Sequence, residues 1–218
     1  MTPTTYSIRG GQAGKDRLAV LSRVLAPTTG ALLDRIPITR DARCLDVGCG
    51  GGDVTAQLAA RVPDGTVVGT DRDDVKIALA RADMPANVEL RVEDVARTVT
   101  SGQTYDIVYA RFLLSHLCDA SAWVTALVGL VAPGGWLVVE DVRISGSFCS
   151  PPSPEFARSL DIYCRTVRAN GGDPNLGPAL PRHLRAAGLA DIGIDVVPAG
   201  GPRRRRQADP AADARRAP

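Results

Sequence analysis

Short apolar runs that alternate with amphipathic stretches limit the possible folds of this 218-residue chain. Each run has the length of a strand, and each following stretch repeats its apolar residues at helical spacing. Strands that alternate with helices in this way form a parallel sheet from right-handed crossover units. We therefore predict an α/β fold with a doubly wound, mostly parallel sheet. The predicted strands are 43–48, 66–71, 87–94, 105–110, 136–142 and 191–197, and the main helices among them are 54–62, 74–82 and 120–131.

Composition and prolines divide the chain into three parts. Residues 1–40 are predicted to form an N-terminal helical cap, in which Pro27 separates two short helices. Residues 41–200 form the main domain, with a proline-rich lid insertion at about 145–177. Residues 201–218 contain only Gly, Pro, Arg, Gln, Ala and Asp, so they cannot bury an apolar face. We predict that they form a disordered basic tail.

The charge distribution and the cysteine content indicate which binding partners and which cellular compartment to expect. The net charge is +2, but residues 201–218 contribute +4 through six arginines and two aspartates, so the rest of the chain carries −2. A weakly acidic body gives no electrostatic reason to bind nucleic acid. The five cysteines are scattered without a CxxC pair, which favours free thiols in the cytoplasm and argues against a metal site. No apolar stretch approaches the roughly 20 residues that span a bilayer, so no membrane association is expected.

A glycine-rich loop follows the first strand in the stretch CLDVGCGGGDVT, residues 44–55. A Walker loop for nucleoside triphosphates needs a lysine after the glycines, and none is present. A dinucleotide loop has the pattern GxGxxG, whereas Asp53 occupies the position of the third glycine and is placed to cap the next helix. Asp46, just before the loop, would repel a pyrophosphate at the start of that helix. A zwitterionic or cationic ligand tolerates this carboxylate better.

Two more carboxylates stand at the ends of the second and third strands. Ligands in parallel sheets bind beyond the carboxyl ends of the strands, so these groups are candidates for one site. Asp71 is placed to accept hydrogen bonds from ribose hydroxyls, and Asp94 is placed to contact an exocyclic amino group. Other interpretations remain open: Asp46 could brace the glycine loop, Asp71 could cap a helix, and Asp94 could be a solvated strand end.

The ordered set of motifs across residues 42–142 resembles a class I S-adenosylmethionine-dependent methyltransferase. CLDVGCGGGDVT is similar to the family's first motif, VVGTD to its second, VEDVA to its third and YDIVYARFLLSHL to its fourth. The resemblance implies a Rossmann-like fold, S-adenosyl-L-methionine as the cofactor, and an N-terminal segment at 10–18 that closes over it. The family's seventh strand has no counterpart after Pro198. The implied cofactor-binding residues are Asp46, Gly48, Cys49, Gly50, Gly52, Asp71, Arg72, Asp94, Val95 and Arg111.

The same resemblance implies a role for each end of the cofactor. Asp46 and the glycines would line its methionine moiety, and Asp71 would hold its ribose. Arg72 would cover the adenine, with Asp94 and Val95 at its edge. Arg111 would face the methionine side and the opening for the substrate.

The predicted function is methyl transfer to an oxygen, nitrogen or carbon atom of a small-molecule acceptor. His116 follows the fourth strand and could serve as a general base, because an imidazole accepts protons near neutral pH. Glu140 and Asp141, at the end of the fifth strand, could bind a cationic or hydroxylated acceptor. The alternatives are an NAD(P)-dependent oxidoreductase and a C-terminally truncated, inactive methyltransferase-like protein. The sequence identifies neither the acceptor nor the oligomeric state.

Overall fold

The computed structural model describes residues 11–198, with side chains from residue 20 onward. The predicted tail at 201–218 lies outside the described residues, as do residues 1–10 of the predicted cap. No helix within the described range is long and apolar enough to cross a membrane. The strands are β1 (Arg43–Val47), β2 (Thr66–Asp71), β3 (Val88–Val92), β4 (Tyr105–Arg111) and β5 (Val131–Glu140). The α-helices are α1 (Gly11–Leu33), α2 (Asp53–Arg61), α3 (Asp74–Arg81), α4 (Val95–Thr98), α5 (Ala120–Val128), α6 (Pro154–Ala169) and α7 (Leu180–Ala186).

The five strands form one parallel sheet in the order β3-β2-β1-β4-β5. The chain builds outwards from β1 to β3 and then crosses to the other side of β1 for β4 and β5. Leu45 of β1 therefore lies opposite both Val68 of β2 and Val108 of β4. Ligands bind where the strand order reverses in this way, beyond the carboxyl ends of the strands. The topology thus places the glycine loop after β1 and the residues after β4 on two sides of one crevice.

Alternate residues of the central strands pack into two apolar layers. Cys44 of β1 and the β4 residues Ile107 and Tyr109 pack with α1 and α2 on one face. Leu45 and Val108 pack with α5 and α7 on the other face. Because both faces of the sheet are covered, its central strands are nearly continuous apolar runs. The five-stranded parallel sheet between these layers confirms the predicted α/β class.

The N-terminal helix differs from the prediction. Two short helices were expected, but α1 continues without a break through Pro27. A proline inside a helix costs about 3 kcal/mol, because it lacks the N–H that the helix needs. Here Leu25, Thr29 and Leu33 form a buried stripe at helical spacing, so the last turns of α1 pack against the domain. Tertiary packing of this stripe offsets the cost of the proline.

The predicted sixth strand at 191–197 is wrong, because these residues have no regular secondary structure. Ile194 and Val196 are 57% and 92% exposed. The side chain of Asp195 forms an ion pair with Arg35, just after α1. The alternating pattern of this segment favours a strand, but a strand also needs a neighbour, and the segment pairs with no strand of the described sheet. Within residues 11–198 the sheet therefore ends at β5.

Candidate functional site

The glycine loop after β1 is held against the end of β2 by backbone hydrogen bonds. The N–H groups of Gly48 and Cys49 donate to the carbonyl oxygen of Thr70, at 2.7 and 2.9 Å. Gly48 has a φ of 73°, and a Cβ atom there would lie 3.2 Å from Cδ1 of Leu113. Both the left-handed backbone and the lack of space therefore favour glycine at this position. The loop presents bare backbone to the crevice.

Asp71 connects the end of β2 to this loop. Its Oδ2 accepts the N–H of Gly50 at 2.9 Å, and its Oδ1 accepts the N–H of Asp73 at 2.9 Å. A carboxylate has about four lone-pair sites, so both oxygens can still accept a hydroxyl. Asp71 thus braces the loop, a role that the sequence analysis considered for Asp46. The N-cap of α3 is Asp73, whose side chain accepts the N–H of Lys76 at 3.1 Å.

Asp46 is a buried carboxyl group beneath the loop, with an exposure of only 2%. Its Oδ2 accepts the hydroxyl of Thr55 at 2.7 Å. Burial raises its pKa from the usual 3.8 to about 7, and the nearby carboxylates of Asp53 and Asp71 also act to raise it. The Thr55 hydrogen bond and Arg111 act in the opposite direction. Asp46 is therefore partly protonated near neutral pH, and a cation beside it would favour its ionised form.

The end of β3 supplies two further carboxylates. Asp94 is the N-cap of α4, and its Oδ1 accepts the N–H of Ala96 at 3.0 Å. Asp94 is exposed, so it caps the helix while remaining in contact with solvent. Glu93 accepts the hydroxyl of Thr98 at 2.8 Å. Both carboxylates border the same cavity as Arg72 of the β2 end.

Arg111, at the end of β4, belongs to a hydrogen-bonded network that reaches four elements. Its Nη2 donates to Oδ2 of Asp53 on α2 at 2.5 Å, and its Nη1 donates to Oγ1 of Thr29 on α1 at 3.3 Å. The Thr29 hydroxyl in turn donates to Glu140 of β5 at 2.8 Å. Glu140 also accepts the hydroxyl of Tyr109, and burial raises its pKa. This network ties the N-terminal helix to the sheet next to the crevice.

The prediction that Asp53 caps α2 is wrong, because Gly52 is the N-cap and Asp53 is the first helical residue. Gly52 has a φ of 79°, a conformation that glycine adopts without strain. The Asp53 side chain is instead engaged with Arg111. Gly52 does not line the cavity: a Cβ atom there would lie 2.9 Å from Cε of Met84.

A cavity of about 740 Å³ opens beyond the carboxyl ends of the strands. Its wall includes the glycine loop, the ends of β2 and β3, the residues after β4, and parts of α1 and α6. This volume lies within the range of about 300–1,000 Å³ that is usual for small-molecule sites. The sequence-predicted site residues that line it are Asp46, Gly48, Cys49, Gly50, Asp71, Arg72, Asp94, Val95, Arg111 and His116.

The part of the cavity beside β1, β2 and β3 is acidic. Two ion pairs lie in this part: Lys76 with Asp73 at 3.5 Å, and Arg111 with Asp53. The carboxyl groups outnumber the cations, which suits a cationic or zwitterionic ligand better than a pyrophosphate. The carboxyl groups belong to Asp46, Asp53, Asp71, Asp73, Glu93 and Asp94, and the cations to Arg72, Lys76 and Arg111.

His116 lines the opposite part of the cavity, in a short 3-10 helix that spans Leu114–His116. Its Nε2 lies 3.4 Å from the hydroxyl oxygen of Tyr163 on α6. The two rings meet edge to face, with their centroids 6.2 Å apart. This geometry places a proton acceptor and a hydroxyl group together at the wall of the cavity.

Glu140 and Asp141, the acceptor ligands considered from the sequence, do not line the cavity. Glu140 is held in the network with Thr29. Asp141 accepts the backbone N–H groups of Ser115 and Val142, at 2.9 and 2.8 Å, and burial raises its pKa. Asp141 therefore braces the turn that carries His116.

Sequence reasoning missed several residues of the cavity wall. Glu93 directly precedes Asp94 at the end of β3, where ligand contacts were expected, but the sequence assigned it no role. Lys76 lies on α3, outside any strand-end motif. Tyr163 lies on α6 within the predicted lid insertion, but no sequence pattern singles out its side chain. Phe112 is exceptional, because it adopts a φ of 52° although it is not a glycine. Such strained residues cluster at functional sites.

The known proteins that are similar to this chain in sequence include several methyltransferases. The family model of a methyltransferase domain matches residues 44–135. The methyltransferase str2 of Strobilurus tenacellus is 27% identical over 186 residues, which cover 84% of this chain and 66% of that protein. A trans-aconitate 2-methyltransferase of Methylobacterium radiotolerans is 33% identical over 167 residues, which cover 74% of this chain and 59% of that protein. The chain thus spans less than two thirds of the length of either relative.

Solved structures share the fold. An O-methyltransferase family protein from Burkholderia thailandensis matches with a TM-score of 0.62 at 22% identity, over 81% of this chain and 54% of that chain. Human N-acetylserotonin methyltransferase, solved in complex with S-adenosylmethionine, matches with a TM-score of 0.59 at 14% identity, over 82% of this chain and 51% of that chain. At these identities the likeness concerns the fold alone. The domain match and the related methyltransferases, together with this shared fold, support a class I S-adenosylmethionine-dependent methyltransferase.

Proposed function

We propose that this chain transfers a methyl group from S-adenosyl-L-methionine to an oxygen, nitrogen or carbon atom of a small-molecule acceptor. The observation that carries the proposal is the acidic cavity beside the bare glycine loop, with Asp71 at its edge. The cofactor has a positively charged sulfur and no phosphate, so it suits a wall rich in carboxylates. A nicotinamide dinucleotide would bring a pyrophosphate against Asp46 and Asp53, which is unfavourable.

The residues present fit the cofactor part by part. Gly48, Cys49 and Gly50 would receive its amino-acid end on the backbone of the loop, with Asp46 beneath them. Asp71 would accept the ribose hydroxyls with the lone pairs that its two backbone hydrogen bonds leave free. The remaining contacts of this proposal are Arg72, Asp94 and Val95 around the adenine and Arg111 at the methionine side. Gly52 would contribute only as the N-cap of α2 behind the loop.

His116 is the proposed general base. When bound, the cofactor supplies an electrophilic methyl group. The chain's contribution is to hold the acceptor in line with that group and to exclude water, which lowers the barrier without a covalent intermediate. The nearby Tyr163 hydroxyl holds the His116 ring at the cavity wall. The ring nitrogen Nε2 would take the proton that an acceptor hydroxyl or amine loses.

The remaining parts of the chain have proposed roles around this site. The lid insertion at about 145–177 would cover the acceptor side, since its helix α6 contributes Tyr163 to the cavity wall. The cap at 1–40 would cover the cofactor side through Leu21 and Leu25 of α1. Its segment 10–18 is part of this proposal, although residue 10 lies outside the described range. All five cysteines are free thiols, which supports a reducing compartment such as the cytoplasm.

Calorimetry and a transfer assay test the proposed function. We expect S-adenosylmethionine and S-adenosylhomocysteine to bind in the micromolar range and NAD not to bind, and we expect labelled methyl groups to appear in small-molecule products. Replacement of His116 by Asn should lower kcat about 10²- to 10⁴-fold, with cofactor affinity unchanged. The matched control is His183→Asn on α7, outside the cavity. Binding of NAD alone would favour an oxidoreductase, and binding of neither would favour an inactive protein.

A further inference from the structure

The cavity has two halves with different chemistry. The cofactor half is formed by the cavity residues within 46–54, 70–76 and 93–95, together with Arg111. The acceptor half is formed by the cavity residues within 113–117, 142–147 and 163–170. The strand order β3-β2-β1-β4-β5 places the ends of β1, β2 and β3 on one side of the crevice and the residues after β4 and β5 on the other. Arg111, at the end of β4, reaches across to Asp53 on α2 and is therefore counted with the cofactor half. The two halves differ in their charged side chains, and this difference indicates which acceptors can bind.

The acceptor half carries no carboxylate, lysine or arginine among the side chains that the structure describes. Its aliphatic wall includes Leu117, Ile144 and Val167, and its polar groups are the side chains of His116, Ser147, Tyr163 and Asn170. All the charged side chains that line the cavity in the described part of the chain belong to the cofactor half.

Three charged residues at and after the end of β5 make contacts with other groups and do not line the acceptor half. Glu140 is engaged with Thr29 and Tyr109, on the face of the sheet that α1 covers. Asp141 is taken up by backbone N–H groups of the turn before His116. Arg143 is exposed, and its Nε donates to Ser145 at 3.4 Å. None of these three lines the cavity.

An ionised acceptor would bind poorly on such a wall. A carboxylate taken out of water needs a cation or several donors to compensate for lost hydration, and an ammonium group needs a carboxylate. An uncharged acceptor loses little hydration and gains from burying its apolar surface against Leu117 and Ile144. One hydroxyl group on it would find hydrogen-bond partners in the His116 and Tyr163 pair.

We propose that the acceptor is an uncharged, largely apolar alcohol or phenol that is methylated on its hydroxyl oxygen, and not a polycarboxylate. This inference rests on the proposed function. A lone pair of the hydroxyl oxygen forms the new bond to the methyl carbon, while the bond between sulfur and that carbon breaks and its electron pair stays on sulfur. The hydroxyl proton passes to Nε2 of His116. The product is a neutral methyl ether.

Probes that differ in charge test this inference. Binding of methyl para-hydroxybenzoate, para-hydroxybenzoate and trans-aconitate is measured by calorimetry on the full chain saturated with S-adenosylhomocysteine. We expect the neutral ester to bind at least about tenfold more tightly than the carboxylate of the same ring, because an unpaired buried charge costs several kcal/mol. Tighter binding of either acid, or no binding of the ester, would overturn the inference. Failure of S-adenosylhomocysteine itself to bind would instead overturn the proposed function.

A charge introduced into the acceptor half provides a second test. In Asn170→Arg the wall gains a cation, so para-hydroxybenzoate should bind about tenfold more tightly relative to the ester than it does in the unaltered chain. The matched control is Ile162→Arg, which places the same charge on α6 at a side chain that is 47% exposed and outside the cavity. Equal effects of the two substitutions would show that acceptors do not bind in this half.

Discussion

The carboxylate of Asp71 accepts the backbone N–H of Gly50 at 2.9 Å, across 21 residues of sequence. This bond joins the end of β2 to the glycine loop after β1, beside the two hydrogen bonds that the loop donates to Thr70. Asp71, which we propose binds the ribose, therefore also supports the glycine loop, which we propose binds the methionine end of the cofactor. A change at either partner should affect both the shape of the loop and the affinity for the cofactor.

Replacement of Asp71 by Asn tests whether this carboxylate supports the loop and the binding of the cofactor. The amide keeps the size of the side chain but loses one acceptor oxygen, so either the Gly50 N–H or the Asp73 N–H faces another donor. Since hydrogen bonds to charged groups contribute about 1.5–3 kcal/mol, S-adenosylhomocysteine should bind roughly 10- to 100-fold more weakly in calorimetry. The control is Asp83→Asn, at an exposed acid outside the cavity. Unchanged affinity in Asp71→Asn would contradict the proposed role.

Gly48 should tolerate no side chain. In Gly48→Ala the left-handed φ of 73° strains the backbone by about 1–2 kcal/mol, and the new methyl group meets Leu113 at 3.2 Å. Gly102→Ala is the matched control, because its φ is 70° and no atom lies within 4 Å of the new methyl group. Both variants should lose stability in urea denaturation, but only Gly48→Ala should also lose cofactor affinity. Equal cofactor binding by the two variants would show that the loop accommodates a side chain.

The strand-end residues could be predicted from sequence because their positions follow from topology. Parallel strands bring their carboxyl ends to one edge, so Asp46, Asp71 and Asp94 were expected near one another, and all three line the cavity. The bracing of Gly50 by Asp71 could not be predicted, because a side-chain hydrogen bond depends on rotamer and loop geometry. For the same reason the ion pair of Asp53 with Arg111 was not foreseen.

Two of the errors in the fold share a physical cause. Pro27 was expected to end a helix, but packing of Leu25 and Leu33 against the domain outweighs its local cost. The segment 191–197 has a strand pattern, but it pairs with no described strand. In both cases tertiary contacts, or their absence, outweighed the local preference. A short stretch of sequence does not show which tertiary contacts will form. A third error is different: the strand predicted at 136–142 begins earlier in the structure, because β5 spans Val131–Glu140 with a register shift opposite Tyr105 and Ile107.

The ion pair of Arg111 with Asp53 should contribute more than an exposed pair. Its side chains are 11% and 24% exposed, so water screens the attraction only partly. A double-mutant cycle with Arg111→Ala and Asp53→Ala should give a coupling free energy of about 1–3 kcal/mol in chemical denaturation. The same cycle on Arg40 and Asp64, which are 72% and 60% exposed, should give about 0–1 kcal/mol. Similar coupling free energies in the two cycles would show that burial does not strengthen the ion pair of Arg111 with Asp53.

Asp46 should make the stability of the free protein depend on pH. Its pKa rises from 3.8 in an ordinary setting to about 7 in the fold, so between these values the folded chain binds more protons than the unfolded chain. Its contribution to the free energy of unfolding therefore falls as pH rises through this window, by at most about 1.4 kcal/mol per pH unit. Asp46→Asn keeps an acceptor for Thr55 but does not titrate. The difference in stability between the two proteins should change from pH 5 to pH 8, and a constant difference would contradict the raised pKa.

Binding of the cofactor should release a proton from Asp46. The sulfonium and ammonium groups place positive charge in the cofactor half, which favours the ionised carboxylate and lowers the pKa of Asp46 from about 7. Calorimetry near pH 6.5 in buffers of different ionisation enthalpy measures the number of protons released. S-adenosylmethionine should release more protons than S-adenosylhomocysteine, because the latter lacks the charge on sulfur, and Asp46→Asn should abolish most of the difference. Equal proton release for the two ligands in the unaltered chain would show that Asp46 does not sense the sulfonium.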